Sequence, residues 1–190
     1  MYKIFVSSVR LVKLACNWLP MGPHQHQIDI SSPMCPICDE YIETTSHLFC
    51  CKEEGSKEKR EELIKDFRDK MKKTKPAPII MNAILEGIQQ YTEEQEISER
   101  NWSNDNIGKM TEKAMNQQTE IGWYHLMKGR ITKQWGRTQA EYYRERYPGK
   151  TYLNEKNLNK QLIRSLWRLF DGIWENRNDK LHQDDGAYHQ

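Results

Sequence analysis

Cys35-Pro36-Ile37-Cys38 is followed, after eight residues, by His47 and then by the vicinal pair Cys50 and Cys51. Two thiolates separated by two residues can both reach one tetrahedral ion from a tight turn. A His with a Cys three or four residues later can approach that ion from one face of a helical turn, so either Cys50 or Cys51 completes the set. The chemistry on offer is zinc coordination by three thiolates and an imidazole. Eight residues between Cys38 and His47 fall short of the roughly 12 of a ββα finger, so a compact knuckle is expected in place of a hairpin with a recognition helix. Four protein ligands leave no position for water, which makes the expected zinc structural and not catalytic.

The elements that must position these ligands are short. Met34 to Ile37 can supply the turn, Tyr41 and Ile42 an extended return, and Thr44 or Thr45 the N-cap of the helical turn carrying His47, Leu48 and Phe49. Buried free thiols, a Cys50/Cys51 redox pair and a disulfide framework are the alternatives. Four of the five cysteines lie within 17 residues at metal spacing, and nothing indicates an oxidising compartment, which favours zinc. Cys16 is expected to be a small core residue of the first helix. His24 and His26 are candidate extra ligands, or loop residues if four ligands suffice.

Asn17-Trp18-Leu19-Pro20-Met21-Gly22, His26, Cys35-Pro36-Ile37-Cys38, Glu43-Thr44 and His47-Leu48-Phe49-Cys50-Cys51 together resemble the zinc-binding domain that follows the polymerase in reverse transcriptases of non-LTR retrotransposons. The resemblance covers about residues 8 to 52. In that family the last Cys stands four or five positions beyond the His, which implies Cys35, Cys38, His47 and Cys51 as the ligands. The family's basic residues between Gly and His are replaced here by Pro23, His24 and Gln25. Ile121-Gly122-Trp123, Lys128-Gly129-Arg130 and Trp174-Glu175-Asn176-Arg177-Asn178 are similar to C-terminal segments of some retroelement reading frames, a likeness that assigns no activity.

The remainder reads as mainly α: a small Cys₃His zinc knuckle joined to an antiparallel helical unit. At 190 residues and 37% hydrophobic, the chain can hold one modest domain or a metal-stapled unit joined to a helical one. Residues 1–52 are expected to form an N-terminal helix (3 to 19, with Trp18 a core anchor) plus the knuckle. Residues 53–91 form a charged helix, with Leu63, Ile64, Phe67 and Met71 as its apolar stripe, and a short helix through Ile79, Ile80, Ala83, Ile84 and Ile88. Residues 92–118 are polar enough to read as a linker or loop. In 119–182 a first helix, from about 118 to 147, aligns Ile121, Tyr124, Ile131, Trp135 and Tyr142. A second, from about 156 to 182, carries Leu158, Leu162, Leu166, Leu169 and Ile173. Residues 183–190 are a polar tail.

No catalytic constellation is present: the only Asp-Asp, Asp184-Asp185, lies in that tail, and there is no phosphate loop, His-Glu-x-x-His or nucleophile elbow. The chain is therefore expected to be non-enzymatic. Its net charge of +2 conceals a local excess: Lys128 to Lys180 holds thirteen basic and six acidic residues. On a continuous helix Arg130, Lys133, Arg137 and Arg144 would share an arc of about 60°, and Lys156, Lys160, Arg164 and Arg168 repeat at every fourth position of the next helix. These eight residues are the candidate contacts to a DNA or RNA backbone. The expected function is a non-catalytic, zinc-binding, nucleic-acid-associating accessory module. The alternative is a zinc-stabilised helical module whose apolar faces bind a protein partner or a second copy of the chain. With no signal peptide and no apolar run near the ~18 residues of a membrane span, a soluble intracellular protein is expected, in nucleus or cytoplasm.

Overall fold

The computed structural model describes residues 2–22, 32–94, 102, 104–149 and 155–183, with side chains from residue 9 onward except at 155, 156 and 183. His24, His26 and the polar tail beyond Gln183 lie outside them, as does the side chain of Lys156. Among the described residues the protein is helical with no strand, only an isolated antiparallel bridge between Met34 and Ile42. The helices are α1 (Tyr2–Ala15), α2 (Thr45–Cys50), α3 (Glu54–Lys72), α4 (Pro78–Thr92), α5 (Asn106–Ile121), α6 (Trp123–Met127), α7 (Gln134–Arg146) and α8 (Glu155–Gln183). None of them is long and apolar enough to cross a membrane. The chain divides into two compact units, one made of residues 1–63 and 169–190, the other of 64–168. This division cuts across the blocks expected from sequence, because α8 returns its second half to the N-terminal unit.

In the first unit α1 ends earlier than expected. Asn17 adopts φ 57°, while Trp18 N–H donates to Lys13 O at 2.7 Å and Asn17 N–H to Leu14 O at 3.3 Å. This is a Schellman stop, with Asn in the left-handed position usually taken by Gly. The turn reverses the expected burial. Leu19 is buried and Trp18 is 69% exposed, so Trp18 is not the core anchor, and Cys16 is exposed as well. Along α1 it is Leu14 that is buried, one turn beyond Arg10, whose guanidinium meets Asp171 and Glu175 of α8 at 3.6 and 3.5 Å. Val9 and Val12 are more than half exposed. The choice of face was set by its partner helix, not by hydropathy alone. Across the unit, Phe49 packs on Phe170, and Gly172 admits Leu63 of α3 so closely that a Cβ there would meet the leucine's side chain.

In the second unit the stripes of α3, α4 and α8 fall where their periodicity predicts. Phe67, Met71, Ile80, Ala83, Ile84, Ile88, Leu158, Leu162 and Leu166 are all buried. Two expectations fail. Residues 92–118 are not simply a linker, since α5 begins at Asn106, capped by Asp105, whose carboxylate accepts from Gly108 N–H at 2.6 Å. Its buried face is Ile107, Gly108, Thr111, Ala114, Met115 and Gln118, four of which are small or polar, so it carries little hydropathic signal. Nor is there one helix from 118 to 147. Gly122 (φ 97°) and Gly129 (φ 84°) take left-handed backbone and interrupt it, a conformation that costs glycine nothing. Of the expected stripe only Trp135 is buried, and Tyr143 is buried where Tyr142 was expected.

The loop after α6 is held from below by buried Gln118. Its Oε1 accepts from Thr132 N–H at 3.0 Å, and its Nε2 donates to Arg130 O and Gly122 O at 3.3 and 3.4 Å. On α7, Gln139 accepts from Ala77 N–H at 2.8 Å and Tyr143 OH donates to Lys75 O, which pins the turn between α3 and α4. Gly87, in the middle of α4, lies under Trp123 of α6, and a Cβ there would stand 2.0 Å from the indole's Cη2. We expect Gly87→Ala to destabilise by roughly 1–3 kcal/mol through overpacking, in spite of a gain of up to ~1 kcal/mol in helix propensity. A urea midpoint equal to or above wild type would show that the indole moves aside.

Candidate metal centre

The knuckle is built by backbone geometry that the ligand spacing requires. The Met34–Ile42 bridge brings the two arms together, and Cys35 N–H donates to Tyr41 O at 2.7 Å while Asp39 N–H donates to Cys35 O at 2.8 Å. Asp39 turns the chain at φ 54°, which Asp tolerates better than most side chains. Thr44 then caps α2, its hydroxyl accepting from His47 N–H at 3.0 Å. Sequence left Thr44 and Thr45 equivalent; Thr45 instead points its hydroxyl at the sulfur of Met21, 3.6 Å away.

These elements bring Cys35, Cys38, His47 and Cys51 together, with one ligand atom of each within 4.8 Å of the others. Cys38 Sγ lies 3.4 Å from His47 Nε2, and Tyr41 stacks on the imidazole with ring centroids 5.4 Å apart, fixing its orientation. Cys50 is buried as the last residue of α2 and takes no part in this group. Cys51, the residue after the helix, has non-helical backbone (φ −52°, ψ 128°), and it is this residue that joins the cluster. Cys51 and Cys35 share a hydrogen bond. That bond holds Cys35 well below the ordinary thiol pKa and, with burial, pushes Cys51 up. The four residues are thus placed to hold a metal ion, and the donor set suits a soft or borderline one.

A layer of charged side chains surrounds the cluster. Glu43 is 2% exposed and Arg177 of α8 is 6% exposed. Arg177 Nε and Nη2 donate to the two carboxylate oxygens at 2.7 and 2.9 Å, and its guanidinium lies 5.2 Å above the Trp174 ring. Glu43 also accepts from Gly22 N–H at 2.7 Å, while its own N–H donates to Pro33 O at 2.9 Å. Buried Arg60 of α3 donates to Cys51 O at 2.9 Å. Glu53 caps α3 through Ser56 N–H at 2.7 Å and pairs with Lys180. Burial by itself would raise the Glu53 pKa, but the Lys180 ammonium and Ser56 hold it down at about 2. A cavity of about 20 Å³, room for a water molecule, lies between Cys35, His47, Cys51, Arg60 and Arg177.

The candidate phosphate-binding residues are distributed differently from expectation. Arg130 and Lys133 lie in the loop between α6 and α7, and only Arg137 and Arg144 lie on α7, so the four do not share one helical arc. Arg144 is paired with Glu141, and Arg130 lies 3.5 Å from His125. Lys133, Arg137, Lys160, Arg164 and Arg168 are exposed. The loop nevertheless reaches α8: a Cβ at Gly129 would stand 2.7 Å from Trp167 Nε1 and 3.4 Å from Ile163. This packs Gly129 against the turn of α8 that contains Ile163 and Trp167.

Comparison with protein families, with curated proteins and with solved structures finds no match to this chain.

Proposed function

We propose that the protein is a non-catalytic, zinc-binding accessory module that associates with nucleic acid, of the kind found after the polymerase in non-LTR retrotransposon reverse transcriptases. The observation that carries the reading is the convergence of three thiols and an imidazole within 4.8 Å on a turn-and-helix knuckle. Zinc is the metal that tetrahedral Cys₃His sites of this size hold, and a shell closed by four protein ligands has no place for a reacting water. The surface that meets nucleic acid is the junction of the 128–133 loop with α8, where Gly129 packs near Ile163 and Trp167 and both elements carry exposed cations. Binding there is to phosphate and tolerates any sequence.

Metal stoichiometry followed by salt-titrated binding to single- and double-stranded DNA and RNA tests the reading. Wild type should carry one zinc per chain and show an affinity that falls steeply with salt. The triple charge reversal Lys133→Glu, Arg137→Glu and Arg164→Glu should weaken binding to every sequence and flatten the log–log salt slope by about 0.9 for each phosphate no longer neutralised, with zinc content and helicity retained. An unchanged slope and affinity would reject the surface. Salt-insensitive self-association without nucleic-acid retention would favour the protein-partner reading, for which the exposed Val9, Val12 and Trp18 of the first unit speak.

A further inference from the structure

The last turns of α8 close around the knuckle through a buried ion pair. Glu43 sits one residue before the N-cap of α2 and is bonded to Pro33, next to the strand-like arm that leads to Cys35. Its carboxylate is gripped side-on by the Nε and Nη2 edge of the Arg177 guanidinium, which in turn rests on Trp174. Three further bonds tie the same region: Arg60 to the carbonyl of the ligand Cys51, Lys180 to Glu53 two residues beyond it, and Lys180 to Ser56 at 3.3 Å. Both arms of the metal cluster are thus held from outside, one by Glu43 and one by Cys51 and Glu53. A knuckle of this size has almost no core of its own, so the orientation of its ligands depends on what holds the backbone between them.

We infer that Arg177 is a positioning residue for the metal centre, and that the bound ion and the docked end of α8 stabilise each other. The inference rests on the metal-binding part of the function proposed above. It follows from linkage: if docking of α8 raises metal affinity by a given factor, the metal raises docking by the same factor. Substitutions that remove such orienting partners typically cost about 10- to 100-fold in metal affinity. The second layer is therefore expected to be worth on the order of tenfold here.

The test uses the full chain. The double variant Glu43→Gln/Arg177→Met removes the clamp while leaving no buried charge, and the glutamine oxygen can still accept from Gly22 N–H. Its zinc affinity, measured by competition with a chromophoric chelator, should fall about tenfold or more although its four ligands are intact. In parallel, chelation of zinc from wild type should speed amide exchange in residues 173–183 by a similar factor. Wild-type affinity in the folded double variant would overturn the inference, as would unchanged exchange in 173–183 while 34–52 loses its protection. If wild type holds no zinc at all, the metal reading fails first and this one with it, so the two failures are distinguishable.

Discussion

Cys51→Ser is expected to abolish stoichiometric metal binding and unfold residues 34 to 52, whereas Cys50→Ser keeps one ion per chain. The two side chains are adjacent and both buried, but only Cys51 belongs to the cluster whose ligand atoms lie within 4.8 Å. Structural zinc sites contribute roughly 10–16 kcal/mol of apparent binding free energy, and in a small knuckle that is folding free energy. Losing even a third of it, about 4 kcal/mol, is about a thousandfold in affinity. Serine at position 50 removes only a weakly polar core group, a change of about 1 kcal/mol. Zinc release on denaturation, measured for both variants, decides the matter. Loss of zinc in Cys50→Ser with retention in Cys51→Ser would make the ligand assignment wrong, and retention in both would remove the site altogether.

The second large effect is expected from the ion pair. Arg177→Met leaves the Glu43 carboxylate buried with Gly22 N–H as its remaining partner, and breaking a buried pair in this way costs roughly 3–5 kcal/mol. Arg177→Lys should recover little, because an ammonium offers a point charge where the guanidinium makes two parallel bonds at 2.7 and 2.9 Å. Adding Glu43→Gln to Arg177→Met should restore most of the stability, since an apolar or neutral replacement of a buried pair is often close to neutral. Urea unfolding of the zinc-loaded single and double variants gives the coupling directly. Additive losses would mean that the two side chains act independently, and the pair would then have no role in holding the knuckle.

What sequence could determine here is local. The Cys-x-x-Cys turn, the His one helical turn before the last Cys and the threonine cap all act within a few residues, so spacing located the candidate metal site, while the choice of Cys51 over Cys50 came from the resemblance. Long apolar stripes did the same for α3, α4 and α8, where burial of leucines at roughly 1.5–3 kcal/mol each outweighs every other term. The resemblance motifs singled out both Glu43 and Arg177, yet nothing in either stretch says that they meet across 134 positions. That pairing belongs to the tertiary structure, because a buried charge is tolerable only once its partner has been delivered. The same cause explains the errors. Helix α5 buries Thr111 and Gln118, polar residues that are stable inside only because Ile107 O, Thr132 and Arg130 satisfy them. The basic arc dissolved at Gly122 and Gly129, whose left-handed backbone ends one helix and starts another. Trp18 turned outward because Asn17 reversed the chain before it. Hydropathy reports what a residue prefers, whereas only the assembled fold decides which polar groups find partners and which apolar ones find room.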